Sequence, residues 1–157
     1  MAKLTVRHTG IRMSIPVKNL ESFNGFYDFT NPTTDPYLLS LKQGSVVAFD
    51  NLGFIKLADG ATDVTIGFLI RGFIDNDGGS NNTPGDQGLP VMVGNCQVIT
   101  DAIVSTESFV PGDKLYAGTA ANAGKVTKTA PSATSKVIGI ASSIANATSP
   151  NLLITVA

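Results

Sequence analysis

An all-β fold, a small β-barrel or β-sandwich with two pseudo-repeated Gly-punctuated β-units and an extended N-terminal arm, is predicted by three features of this sequence. Helix signals are scarce. Short runs rich in Val, Ile, Leu, Thr and Phe recur between Gly, Asn, Asp and Pro breakers. One order of glycines and strands occurs twice. At 157 residues the chain is one domain's length, which we divide into an N-terminal arm and irregular segment, 1–37, and a β-domain, 38–157. Hydrophobic residues make up 43%, enough for a packed core, while charged residues are only 15%. The surface must therefore be built largely from Ser, Thr, Asn and Gly, and the 16 glycines fit many tight turns.

In chain order, strands are predicted at 13–17, 38–41, 45–50, 53–57, 64–74, 90–93, 96–104, 114–116, 125–129, 136–142 and 152–156. The one place for a short helix is 16–29, where Leu20, Phe23 and Tyr27 share a face and Gly25 interrupts. Gly44 launches the strand at 45–50, and the return at 53–57 follows another turn glycine, Gly53. The run from Val64 to Ile74 is nearly continuous in apolar residues and is expected to pass through the core. Lys125 to Thr129 alternates polar and apolar only in part, as a half-buried strand does.

The internal echo is the most informative pattern. Gly44-Ser45-Val46-Val47-Ala48-Phe49, then Gly53-Phe54-Ile55-Lys56-Leu57, then Val64-Thr65-Ile66-Gly67-Phe68 sets one order of elements. Gly112-Asp113-Lys114-Leu115-Tyr116-Ala117, then Gly124-Lys125-Val126-Thr127, then Lys136-Val137-Ile138-Gly139-Ile140 repeats it, at glycine offsets of 68, 71 and 72 residues. Each copy is a turn glycine, a strand, a hairpin return, a polar loop and a strand with a Gly among apolar residues. A glycine inside a strand marks a bulge or a close backbone approach, so Gly67 and Gly139 are expected to do equivalent work. Two copies are too few for a solenoid and fit a pseudo-symmetric barrel or sandwich.

The second copy, with its Val110-Pro111-Gly112-Asp113 turn, its Gly124-Lys125-Val126 hairpin, its Ile138-Gly139-Ile140 strand and the closing Leu152-Leu153-Ile154-Thr155-Val156, resembles the capsid decoration or cement proteins of tailed bacteriophages. The resemblance covers roughly residues 89–157, with a weak extension back to about residue 44. It implies a structural virion protein on the outer surface of a phage head, bridging major capsid subunits as a symmetric oligomer, with a trimer favoured over a dimer. It also implies a product made in the bacterial host cytoplasm. A phage tail or fibre β-module could carry the same motif. The other reading is a carbohydrate or small-ligand binding domain, with Phe23, Tyr27, Phe29 and Tyr37 as its aromatic site.

Charge is segregated. Residues 1–20 hold Lys3, Arg7, Arg12 and Lys18 with no acid, residues 21–113 hold all twelve acids against three bases, and residues 114–157 hold four lysines with no acid. Leu4, Val6, Ile11, Met13 and Ile15 lie among the N-terminal cations, so residues 1–20 are expected to leave the body and pair with a neighbouring subunit by strand addition. Lys3, Arg7, Arg12, Lys18, Phe23 and Tyr27 are the candidate partner-binding residues. A net charge of −1 is too near neutral for a domain that grips nucleic acid. No run approaches 18 apolar residues, so no membrane span and no secretory leader are expected.

Chemistry-bearing constellations are poorly supplied, and no catalytic residue, metal site or cofactor is predicted. The single His8 falls in the arm, and the single Cys96 falls in an apolar strand where a free thiol is a small core residue. Asp75-Asn76-Asp77-Gly78-Gly79-Ser80 invites a calcium reading. Counted as an EF-hand loop, however, it has Gly79 at position five, Ser80 in place of the turn glycine, and Asp86 in place of the closing Glu. An exposed loop is expected there.

Overall fold

The structure is a computed structural model in which residues 4–6, 11–16, 36–72 and 88–156 are described. Among the described residues, eleven strands and two short helical pieces follow one another. β1 (Leu4–Val6) and β2 (Ile11–Pro16) precede a short helix α1 (Pro36–Ser40). β3 (Val46–Phe49), β4 (Ile55–Leu57), β5 (Thr65–Leu69) and β6 (Gly88–Gly94) come next. β7 (Cys96–Thr100), β8 (Lys114–Ala117), a 3-10 turn at Ala120–Asn122, β9 (Val126–Thr127), β10 (Gly139–Ala141) and β11 (Leu152–Val156) complete the chain. The first sheet has the order β2-β6-β5-β3-β4 and the second β1-β7-β11-β10-β8-β9. Every pairing between named strands is antiparallel.

The two copies read from the sequence are equivalent units, and the equivalence is wider than the echo. β3 pairs with β4 and β5, as β8 pairs with β9 and β10. The register matches at the recorded pairs, since Val46 faces Phe68 as Lys114 faces Ile140, and Val47 faces Gly67 as Leu115 faces Gly139. Beyond them, β5 pairs with β6 and β6 with β2, as β10 pairs with β11 and β11 with β7. Each repeat is thus five strands in one order, and β1 is an addition to the edge of the second sheet.

Main-chain bonds repeat with the glycines. The Gly44 amide donates to the Leu69 carbonyl at 2.8 Å, and the Gly112 amide donates to that of Ala141 at 2.9 Å. The Leu69 amide donates to Ser45, and that of Ala141 donates to Asp113, each at 2.9 Å. All four turn glycines have positive φ, 86° and 97° at Gly44 and Gly112, 88° and 80° at Gly53 and Gly124. That left-handed region is costly for residues with a Cβ, which is why the glycine spacing survives where other residues diverge. Gly67 and Gly139 hold the close backbone approach. A Cβ on Gly67 would lie 2.0 Å from the Met92 carbonyl oxygen, and one on Gly139 would lie 2.7 Å from that of Thr155. The β3·β5 register slips between Val47 and Ala48, beside Gly67, so this glycine also marks an irregularity in the ladder.

The repeats stack in the same sense, one behind the other. Val46, Ala48, Phe68 and Met92, from one face of the first sheet, join Leu115, Ala141, Leu152 and Ile154 of the second in one buried cluster. The opposite face of the first sheet, with Val47, Leu69, Leu89, Val91 and Ile15, forms another cluster capped by Leu41 and Tyr37 around α1. Leu115, Ala141 and Ile154 correspond by register to Val47, Leu69 and Val91. The face that the first repeat turns away from the interior is therefore the face that the second repeat turns into it. The chain crosses from sheet to sheet at Asn95, between β6 and β7, with φ of 53°.

Three sequence expectations need correction. Residues 38–41 do not form a strand, because the chain there is the short helix Pro36–Ser40. Pro36 takes a first-turn position whose N–H would be unpaired anyway, and Tyr37 donates its hydroxyl to the Ile55 carbonyl at 2.6 Å. The strand expected over 64–74 stops at Leu69. The Ile70 amide donates to the Pro90 carbonyl at 2.9 Å, but Pro90 has no N–H to return, and the Gln43 side-chain amide donates to the Ile70 carbonyl instead at 3.0 Å. Residues 4–6 and 11–16 do not leave the body, since β1 pairs with β7 and β2 with β6 of the same chain. Each is an edge strand, bonded to its own chain along one side. The helix expected at 16–29 falls, apart from Pro16 in β2, outside the described residues.

Candidate interaction site

Lys3, Arg7, Lys18, Phe23 and Tyr27 lie outside the described residues, as do His8, Phe29 and the whole Asp75–Asp86 loop. Arg12 is on β2, opposite Met92 at the outer edge of the first sheet. Tyr37, the remaining member of the proposed aromatic site, is half-buried and packs on the second core cluster. Cys96 is a core residue, 5% exposed, and burial pushes its thiol pKa up, away from the reactive thiolate. Among the described residues no group of three or more His, Cys, Asp or Glu comes together.

The outer side of the second sheet is mixed in polarity, with exposed aliphatic side chains on and beside it. Along β8, β10 and β11 burial alternates, so Leu115, Gly139, Ala141, Leu152 and Ile154 point inward while Lys114, Ile140 and Thr155 are exposed. Past the ends of β8 and β10 the two segments stay antiparallel. The Phe109 amide donates to the Ala145 carbonyl at 2.8 Å and the Ala145 amide returns a bond at 3.2 Å. Phe109 and Ala145 are fully buried, so their neighbours Val110 and Ile144 face the solvent, 50% and 69% exposed. Ile140, in β10, is 37% exposed. The Pro-Gly-Asp turn holds Val110 in place, because the Asp113 carboxylate accepts its amide at 3.0 Å. The sequence does not mark Val110 and Ile144 as exposed, because both lie outside regular strands; for the sheet itself the signal is the alternation Lys114-Leu115-Tyr116.

The junction between the repeats is polar and tightly bonded. Asp59 accepts from the Thr119 hydroxyl at 2.6 Å, the Ala61 amide at 2.9 Å and the Ala120 amide at 3.3 Å. The Thr119 hydroxyl and then the Ala61 amide hold its pKa below the ordinary carboxylate value, against an opposing effect of burial, with the Ala120 amide and Lys56 adding less. Asp63 accepts from the Asp59 amide and pairs with Lys56, both at 2.8 Å. These bonds fix loops rather than poise a proton for transfer, and Ala120, at φ of 53°, is held by them in a left-handed turn.

Among the depressions lined by described residues, two lie at the contact between repeats. The larger, about 510 Å³, is a shallow groove lined by Leu39, Leu57, Ile103, Lys42 and Lys125 among others, with no aromatic side chain in its lining. A sugar-binding groove uses aromatic faces to stack the ring, and this one has none among the described residues that line it. The smaller, about 190 Å³, lies between the start of β5 and residues 136–138.

The fold defines a duplicated antiparallel β-sandwich whose second sheet exposes Lys114, Ile140 and Thr155 on its outer face. No family model, no curated protein and no solved structure matches the chain.

Proposed function

We propose that this chain is a structural virion protein, a capsid decoration or cement protein that binds the outer surface of a phage head and bridges major capsid subunits to stabilise the shell. The observation that carries the reading is the coincidence of the resemblance with the surface. The stretch that resembles the decoration proteins, roughly residues 89–157, builds nearly all of the second sheet and with it the exposed Val110, Ile140 and Ile144. Exposed aliphatic side chains on and beside a sheet are a feature of surfaces that meet other proteins.

On this reading the protein works by binding alone, with no chemical step and no cofactor. A bound domain that spans subunit junctions favours the closed lattice by its differential affinity for it. A homo-oligomer, trimeric or dimeric, adds its contacts so that modest affinity per protomer gives firm attachment. The particle would carry the chain on its outside, after synthesis in the bacterial host cytoplasm. Electron microscopy of particles with and without the chain, combined with DNA release on heating, tests this. Density on the outer head surface and a higher release temperature with the chain are expected. Equal release temperatures and no density on the head would sink the reading and raise that of a tail or fibre module.

A further inference from the structure

One strand position is filled in the second sheet and open in the first. By register β2 corresponds to β7, with Met13, Ser14 and Ile15 at the places of Val98, Ile99 and Thr100. On the outer side of β7 the chain adds β1, antiparallel, with Leu4 opposite Thr100, Thr5 opposite Ile99 and Val6 opposite Val98. Among the described residues no strand pairs with the outer side of β2. The difference shows at one residue: Val98, with β1 beside it, is fully buried, whereas its counterpart Met13 is 39% exposed. The main chain of β2 is set for an added strand. The Ile70 amide donates to the Pro90 carbonyl, so Pro90 and Met92 of β6 turn their polar groups towards β5, and Leu89 and Val91 turn theirs towards β2. Ile15 and Met13, the partners of those two, therefore bond inward, and the N–H and C=O of Ser14 point outward.

We propose that the outer edge of β2 pairs with the β2 edge of a second copy of this chain, antiparallel about a two-fold axis at Ser14, so that the two first sheets become one continuous sheet. The sequence selects that occupant. A second β2 laid antiparallel brings its Met13, Ser14 and Ile15 opposite Ile15, Ser14 and Met13, so each edge receives an apolar, a hydroxyl and an apolar residue. Leu4-Thr5-Val6 gives β7 the same residue types in the same order. The contact is self-complementary, as a two-fold contact must be, and each Met13 gains Ile15 of the second copy as its cross-strand neighbour. Charge does not oppose it, because the two Arg12 positions stand four residues apart along the ladder, roughly 13 Å at about 3.3 Å per residue, beyond a screening length of about 8 Å. Pro16, with no N–H to give, and the register slip between Ile11 and Arg12 bound the ladder to the central residues, a length like that of β1 on β7. The second copy's β1 is a poorer occupant, since it is already bonded to its own β7. Each β2 keeps its place beside β6, so nothing has to leave the body of either copy, and the inference does not depend on the virion reading.

Sedimentation of the purified full-length chain from micromolar to near-millimolar concentration tests this. A ladder this short gives a weak dimer, so the mass is expected to rise with concentration from that of one chain towards that of two. Ser14→Pro removes the outward N–H and sets a ring in the path of the second copy, yet costs β2 no bond to β6, because Ser14 faces away from it. It is expected to weaken dimerisation by roughly tenfold or more. Met13→Lys, which charges the open edge, should act in the same direction. Leu52→Lys, at an exposed turn of the same repeat, is the control and should dimerise like the wild type. Circular dichroism and melting check that each variant folds, and a cross-link gives a readout that does not depend on Ser14→Pro folding. Directly opposed residues of such a pair have Cα atoms about 5.5 Å apart, within reach of a disulfide, so Ser14→Cys should oxidise to a covalent dimer. The two Met13 positions are diagonal, about 7–8 Å apart, so Met13→Cys should not, and the native Cys96 is buried. A wild type that stays monomeric throughout overturns the proposal, as does a dimer that Ser14→Pro and Met13→Lys leave equally strong, or one that Met13→Cys cross-links in preference to Ser14→Cys. None of these results touches the virion reading, which is tested on particles.

Discussion

The Thr100 hydroxyl donates a 2.9 Å hydrogen bond to the Gly44 carbonyl, tying the first strand of the second repeat to the turn that launches the first repeat's hairpin. Thr100 is fully buried, and its Oγ1 also accepts the Ala102 amide at 3.1 Å. The register places it where the first repeat has Ile15, an ordinary core aliphatic. A hydroxyl at this point serves the joint between repeats, which a methyl group of the same size does not.

Thr100→Val should therefore lower stability although volume is kept. Removing one partner of a buried bond costs about 1–3 kcal/mol. For a chain of this length that corresponds to a fall of roughly 2–4 °C in Tm per kcal/mol. Calorimetry of the two proteins checks it, and an unchanged Tm would show that the Gly44 carbonyl is satisfied by other means.

The glycine pairs predict an order of damage. Gly67→Ala places a Cβ 2.0 Å from a backbone carbonyl, Gly139→Ala places one 2.7 Å from the equivalent carbonyl, and Gly53→Ala meets nothing within 4 Å. Gly53→Ala suffers only from its positive φ, about 1–2 kcal/mol. Urea midpoints should fall in the order Gly53→Ala, Gly139→Ala, Gly67→Ala, the last the lowest. A Gly67→Ala protein as stable as Gly53→Ala would refute the close packing of β5 on β6.

Acid should loosen the junction at Asp59. Its pKa is depressed in the folded state, chiefly by the Thr119 hydroxyl and the Ala61 amide, so the folded form holds its carboxylate more firmly than the unfolded chain does. The resulting stability is complete above the ordinary aspartate value of about 3.9 and is lost as pH falls through the lower folded value. Melting of wild type and Asp59→Asn from pH 6 to pH 2.5 should show curves that converge at the acid end, because protonation removes what the substitution has already removed. A constant gap between the two curves across that range would exclude this account.

Phe68 is the largest residue that the first sheet contributes to the shared core, and it is fully buried. Phe68→Ala should cost about 3–5 kcal/mol. Because Phe68 belongs to the core between the repeats, Cys96 in the same cluster should become reactive towards a thiol reagent together with unfolding, while in the native protein it stays slow. Thiol labelling during a denaturant titration follows both. Rapid labelling of the native wild type would contradict the burial of Cys96.

Much of the fold was legible because it is local. Turn glycines such as Gly44 and Gly112 and the strands they launch depend on conformational preferences within a few residues, so their spacing announces the repeat before any packing is known. The helix at Pro36–Ser40 was not legible, since Leu38 to Leu41 reads equally well as a strand, and the decision falls to Tyr37, whose hydroxyl reaches Ile55 in β4. The partner-binding residues read from the N-terminal charge were sought where cations cluster. Those residues lie, apart from Arg12, outside the described residues, and the exposure of Val110 and Ile144 follows from the pairing of Phe109 with Ala145, distant in sequence.

By itself the sequence determined an all-β chain, its duplicated strand order, the positions of the turns and the inward place of Cys96, because those follow from backbone freedom and from the side-chain period of a strand. Only the tertiary structure decided which face of each sheet is buried, and that the N-terminal strands lie on their own chain. Val46-Val47-Ala48 is apolar on both sides and is buried on both, whereas Lys114-Leu115-Tyr116 alternates and is fully buried only at Leu115. Equivalent strands met different neighbours, and what a strand's second face touches is fixed by packing between distant segments, which no local preference encodes.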